Sequence, residues 1–68
     1  MDRELHEFAL FLHHQTDHAF LVSESGMKED AVWIPKSQCE DIDIMLTGEA
    51  PEITFYIPEW LAVDKGLL

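Results

Sequence analysis

Between Asp41 and Ile57 two segments place apolar side chains at every second position, and Thr47-Gly48-Glu49-Ala50-Pro51 separates them. A period of two places successive side chains on opposite faces of an extended chain, so each half reads as a strand with one buried face. In Asp41 to Thr47, Ile42, Ile44 and Leu46 point inward, and Asp41, Asp43 and Met45 point outward. In Glu52 to Ile57, Ile53, Phe55 and Ile57 point inward, and Thr54 and Tyr56 outward. The break is turn chemistry, so the two strands are expected to pair as an antiparallel hairpin.

Ala31 to Ile34 reads as a further short strand, reached through Ser23-Glu24-Ser25-Gly26, and His18 to Val22 as another, rich in β-favouring residues. Leu5 to His13 fits two descriptions. Leu5, Phe8, Ala9 and Leu12 match a helical stripe with Asp2 as cap, whereas Phe8 to Leu12 also suits a strand buried on both faces. The strand is favoured, because Gln15-Thr16-Asp17 then turns it into a hairpin with His18 to Val22. After Pro58 a short helix is expected. Proline suits the first helical position, Glu59 complements the positive end of the helix dipole, and Gly66 can take the left-handed position beyond the last turn. Leu67 can then fold back on Leu61, and Trp60, Leu61 and Val63 are available to cover an open sheet, with Trp60 assigned to the core. Val32-Trp33-Ile34-Pro35-Lys36 and Phe55-Tyr56-Ile57-Pro58-Glu59 share one order, in which a strand is stopped by proline and followed by a helical turn.

These segments predict a mainly β (α+β) fold: a small four- to five-stranded antiparallel sheet or barrel-like fold with a short C-terminal helix. Its 68 residues make a single domain, since either half alone would be too small to bury a core. Cys39 is the lone cysteine, so no internal disulfide can stabilise the fold, and the thiol usage fits a reducing cytoplasm. The N-terminal residues carry no secretory pattern, and the longest apolar run, Phe8 to Leu12, is far short of a membrane span. Composition matters most through charge. Fourteen Asp and Glu stand against four Lys and Arg, a formal net charge of −10. That field opposes direct binding to nucleic acid or to anionic membranes and attracts a basic partner. Equally, the acids can serve solubility alone. A hydrophobic content of 47% separates the chain from acidic disordered segments.

Thr16-Asp17-His18-Ala19-Phe20-Leu21-Val22, then Trp33-Ile34-Pro35-Lys36-Ser37-Gln38, then Ile57-Pro58-Glu59-Trp60-Leu61-Ala62 with Lys65-Gly66-Leu67, occur in that order over about two-thirds of the chain. The series resembles small uncharacterised acidic proteins of bacteriophages and bacterial mobile elements, in which the pattern runs T-D-K-A-hydrophobic-L-V, W-I/L-P-K-S-Q and I-P-E-W-L-A-x-x-K-G-L. His18 stands where that pattern has Lys. The resemblance implies a phage context and brings no activity with it.

No catalytic or metal-binding arrangement is expected. His13, His14, His18 and Asp17 are close in sequence, but a regular hairpin sends His13 and His14 to opposite faces, and metal ligands must converge at about 2 Å from the ion. Ser37 and Cys39 lack any elbow or glycine loop that would activate a nucleophile. No cofactor is expected. The partner-binding candidates are Asp41, Asp43, Glu52, Tyr56 and Glu59, an acidic patch around one aromatic side chain. The function expected is therefore non-enzymatic: a phage-type acidic inhibitor, acting in the bacterial cytoplasm, that blocks a basic nucleic-acid-binding site of a host protein such as a restriction or CRISPR effector. The alternative is a structural or accessory module, a small subunit or homodimer whose acidity serves solubility.

Overall fold

A computed structural model describes residues 4–46 and 50–68. Five strands, β1 (Leu5–Gln15), β2 (Ala19–Ser23), β3 (Val32–Pro35), β4 (Glu40–Met45) and β5 (Glu52–Pro58), precede one helix, α1 (Glu59–Asp64). The strands form one antiparallel sheet in the order β3-β2-β1-β5-β4, with β3 and β4 at its edges. The expected mainly β fold is what the chain adopts, as an open sheet with two edges. Residues 47–49 of the expected β4–β5 turn lie outside the described residues.

β1 is the centre of the sheet because it pairs on both sides, with β2 through Leu12↔Val22 and with β5 from Leu5↔Pro58 to Phe11↔Glu52. Opposed residues of an antiparallel pair share a face. Phe8 and Leu10 of β1 thus lie with Phe55 and Ile53 of β5, and Phe20 of β2 with Ile34 of β3, all on the face that α1 covers. There Leu10, Phe20, Val22, Ile34, Ile53, Phe55 and Ile57 meet Leu61 and Ala62 in a single buried cluster. The ring of Phe8 lies 6.2 Å from that of Phe55, tilted by 38°, an arrangement that favours aromatic contact.

Two turns are held by side chains. Thr16 Oγ1 accepts from the N–H groups of His18 and Ala19 at 3.2 and 3.1 Å, which closes the β1–β2 hairpin. Ser23 Oγ accepts from the Gly26 N–H at 2.9 Å and lies 2.7 Å from His13 Nε2. That clip folds the chain at Gly26 (φ +84°) over the ring of Phe11, where an added Cβ would stand 3.4 Å from the ring. Glycine meets both the backbone and the space requirement there.

Prolines end two strands as expected. β3 finishes at Pro35 and runs into a 3-10 turn, Lys36–Gln38; β5 finishes at Pro58 and runs into α1. Pro58 sits one position earlier than expected, as the residue before the first helical turn (φ −62°, ψ 149°), because it still pairs with Leu5 in the sheet. α1 ends in a two-bond cap: Gly66 N–H donates to Val63 O at 3.1 Å, and Leu67 N–H to Ala62 O at 2.8 Å. Gly66 holds φ +76° with nothing within 4 Å of an added Cβ, so its substitution strains the backbone alone. Gly66→Ala is expected to cost about 1 kcal/mol, read as a fall of about 4–8 °C in the thermal midpoint, with Gly66→Asn losing less. An unchanged midpoint for the alanine variant would contradict this account of the cap.

The assignment of Trp60 to the core is overturned: it is 60% exposed. A six-residue helix offers one narrow stripe to the sheet, and Leu61 and Ala62 take it. Trp60 and Val63, one turn apart, are left on the outer side. Ile42 and Leu46 are also exposed rather than inward. At Ile42 the cause is a bulge: Glu40 pairs with Tyr56 and Asp43 with Thr54, so Asp41 and Ile42 together oppose Phe55. Leu46 lies beyond the last paired residue of β4.

Candidate functional site

The sheet face turned away from α1 is covered at one corner, where the β2–β3 connection folds at Gly26 over Phe11 and Ser23, and Glu7, Ala9, Trp33, Asp43, Met45 and Glu52 on it are exposed. The pairings fix which side chains share it. Along β5 they are Glu52, Thr54 and Tyr56; opposite these on β1 are Phe11, Ala9 and Glu7, and on β4 Met45, Asp43 and Glu40. On the other half of the sheet the same face carries Leu21 and Trp33, which oppose one another, and His14. One half of the face is therefore acidic and the other apolar.

Tyr56 occupies the acidic half, between Glu7 and Glu40. The Glu7 carboxylate opposite it raises its phenol above the ordinary value near 10, chiefly by charge; desolvation and the charge of Asp41 add smaller contributions. A raised phenol pKa means that the unfolded chain releases its proton first, so any stability linked to Tyr56 is present below pH 10 and falls as pH rises through the folded value. Tyr56 is the only tyrosine of the chain, so its phenolate absorbance reports one group. That titration is expected above 10 and should move downward in Glu7→Gln; a curve unchanged by the substitution would remove Glu7 as the cause.

Four of the five partner-binding candidates from the sequence thus gather on β4 and β5. Asp43, Glu52 and Tyr56 share the open face, and Asp41 stands close enough to act on Tyr56 through its charge. Glu59 is elsewhere. It begins α1, and its Oε1 lies 3.3 Å from Nε2 of His6, a residue of the covered face. Glu7 and Glu40, which the sequence reading did not single out, are the direct neighbours of Tyr56. The strand parity of Glu7 was visible in the sequence, but the long-range pairing that sets it beside Tyr56 has no local signature.

The histidines differ from expectation. His14 pairs with Leu21 and Leu12 with Val22, so His13 and His14 both oppose Leu21 in a bulge. Both then reach partners of the open face: His13 to Ser23, and His14 edge-on to the Trp33 ring at 6.3 Å. The expectation of opposite faces fails because a bulge interrupts the alternation. Among the described residues, the side chains that approach at ligand-like spacing are instead Glu4, His6 and Glu59. His6 Nε2 is 3.9 Å from Glu4 Oε1, and both glutamates are exposed, an arrangement common on solvated surfaces that hold no ion.

Nucleophile chemistry finds little to work with in these residues. Burial pushes the Cys39 thiol up to about 11, which leaves little thiolate near neutrality, and its Sγ donates to Pro35 O at 3.5 Å. Ser23 has a histidine within reach but is buried, with its Oγ already engaged by Gly26. A groove of about 260 Å³ runs between the β2–β3 connection and the end of α1, bordered by Ser25, Asp30, Lys65 and Leu67. Ser25 Oγ there donates to Asp30 Oδ2 at 2.9 Å, so its hydroxyl is spent on holding the connection. No helix among the described residues is long and apolar enough to cross a membrane. The chain matches no protein-family model, no curated protein and no solved structure.

Proposed function

We propose that this chain is a non-enzymatic binding protein whose open sheet face engages a basic surface on another protein. The observation that carries the reading is the grouping of Glu7, Glu40, Asp41, Asp43 and Glu52 with Tyr56 on and beside the sheet face that α1 leaves uncovered. Glu40 and Asp43 oppose Tyr56 and Thr54, which are two residues apart on β5, so these two carboxylates stand roughly 7 Å from each other, a spacing comparable with successive phosphates of a nucleic-acid strand. A protein groove lined with Lys and Arg to hold phosphates is complementary to such a face. Together with the phage-like sequence pattern, this favours an inhibitor acting in the bacterial cytoplasm, occupying the nucleic-acid site of a host protein such as a restriction or CRISPR effector. The net charge of −10 speeds encounter with a basic partner and repels nucleic acid itself.

The test is capture of partners from a bacterial host lysate on the immobilised chain, washed at low and at high salt. Basic nucleic-acid-binding proteins are expected to be retained at low salt and released at high salt, since exposed charge pairs are screened. Retention indifferent to salt would overturn the electrostatic reading.

A further inference from the structure

The acidic half of the open face is not level. Its middle row, Ala9 on β1, Thr54 on β5 and Asp43 on β4, is made of short side chains. The row on one side is Phe11, Glu52 and Met45; the row on the other is Glu7, Tyr56 and Glu40. Every member of the flanking rows is longer than its neighbour in the middle. Side chains stand roughly perpendicular to a sheet, so the pairings leave a shallow slot crossing three strands, with a methyl floor at Ala9 and Thr54 and a carboxylate, Asp43, at the β4 end.

We propose that this slot receives a single arginine side chain of the basic partner, a refinement that rests on reading the open face as a docking surface. The aliphatic stem lies over Ala9 and Thr54, as long cationic side chains do on apolar ground. The guanidinium reaches Asp43, with Glu52 as its diagonal neighbour on β5 and Glu40 further along β4, both long enough to approach the same cation. Tyr56 forms one wall and supplies a ring edge or face to the cation. Arginine fits better than lysine on three counts. Its planar fork can bond a carboxylate through two N–H groups, it stacks on aromatic rings, and it is less strongly hydrated than an ammonium group on a half-wet surface. A second copy of this chain is a poor occupant, because it would bring like charges onto Glu7, Glu40, Asp43 and Glu52.

The probe is a labelled nona-arginine peptide, with nona-lysine as its counterpart, titrated at about 0.15 M salt so that diffuse attraction is screened. Ala9→Leu and Thr54→Leu each fill the floor without altering charge and are expected to weaken nona-arginine binding about tenfold. In the unaltered chain, where folding is not at issue, amide shifts on titration should centre on Ala9, Thr54 and Asp43. Nona-lysine should bind more weakly than nona-arginine. Wild-type affinity in both leucine variants, shifts centred elsewhere, or equal affinity for the two peptides overturns the arginine slot. If Asp43→Lys with Glu52→Lys nonetheless abolishes nona-arginine binding, the acidic docking face stands without the slot. If that double variant binds as the wild type does, both fail together.

Discussion

Phe55→Ala is expected to leave the chain largely unfolded at room temperature. Phe55 is fully buried at the centre of the sheet, paired with Phe8 on β1 and opposed on β4 by the Asp41–Ile42 bulge. Removing a buried phenylalanine ring costs about 3–5 kcal/mol in lost transfer energy and residual cavity. A domain of this size holds a net stability of only a few kcal/mol, so the loss is comparable with the whole. The core is one layer between a sheet and a six-residue helix, with little around the ring that can collapse to refill the space. Urea unfolding followed by circular dichroism should show the midpoint lost or displaced to very low denaturant. Val63→Ala, on the outer side of α1, should leave it nearly unchanged. A Phe55→Ala midpoint close to wild type would mean that the core is distributed otherwise.

The second large effect concerns binding. Reversing Asp43 and Glu52 to lysine is expected to weaken association with a basic partner by about a hundredfold or more, since like charges are then set against each other at the interface. Both side chains are exposed, so the fold should tolerate the exchange. Asp41 is deliberately omitted. It holds φ 51° within the bulge, a left-handed conformation that aspartate accepts more readily than lysine, and its reversal would disturb backbone and charge together. The comparison is the affinity of wild type and double variant for the captured partner at one salt concentration. If the acids serve only solubility, the two proteins will bind alike.

Strand alternation and proline placement made much of this architecture legible from sequence. Ile53, Phe55 and Ile57 face the core as their parity requires, and the left-handed Gly66 closes α1 where a cap was expected. Three things were not legible, each for a physical reason. The pairing of β1 with β5 joins opposite ends of the chain, and no local residue choice encodes it. The two bulges, at His13–His14 and Asp41–Ile42, change which side chains share a face, and a sequence pattern that counts by twos passes straight over them. Trp60 was misplaced because a tryptophan beside Leu61 looks like a core anchor, whereas the short helix had room for Leu61 and Ala62 alone. As for the candidate site, Asp43, Glu52 and Tyr56 followed from parity, while Glu7 and Ala9 required the long-range register.

The single covered face also bears on how such a chain can diverge. Glu7, Ala9, Asp43 and Glu52 sit on the side that the buried cluster does not use, so exchanging them leaves the packing between sheet and helix intact. If the open face is the docking surface proposed above, recognition and folding fall on different sides of the same strands. A lineage under pressure from a changing target could then rewrite the outward residues of β5, with Glu40, Asp43 and Met45 of β4, and keep the scaffold beneath.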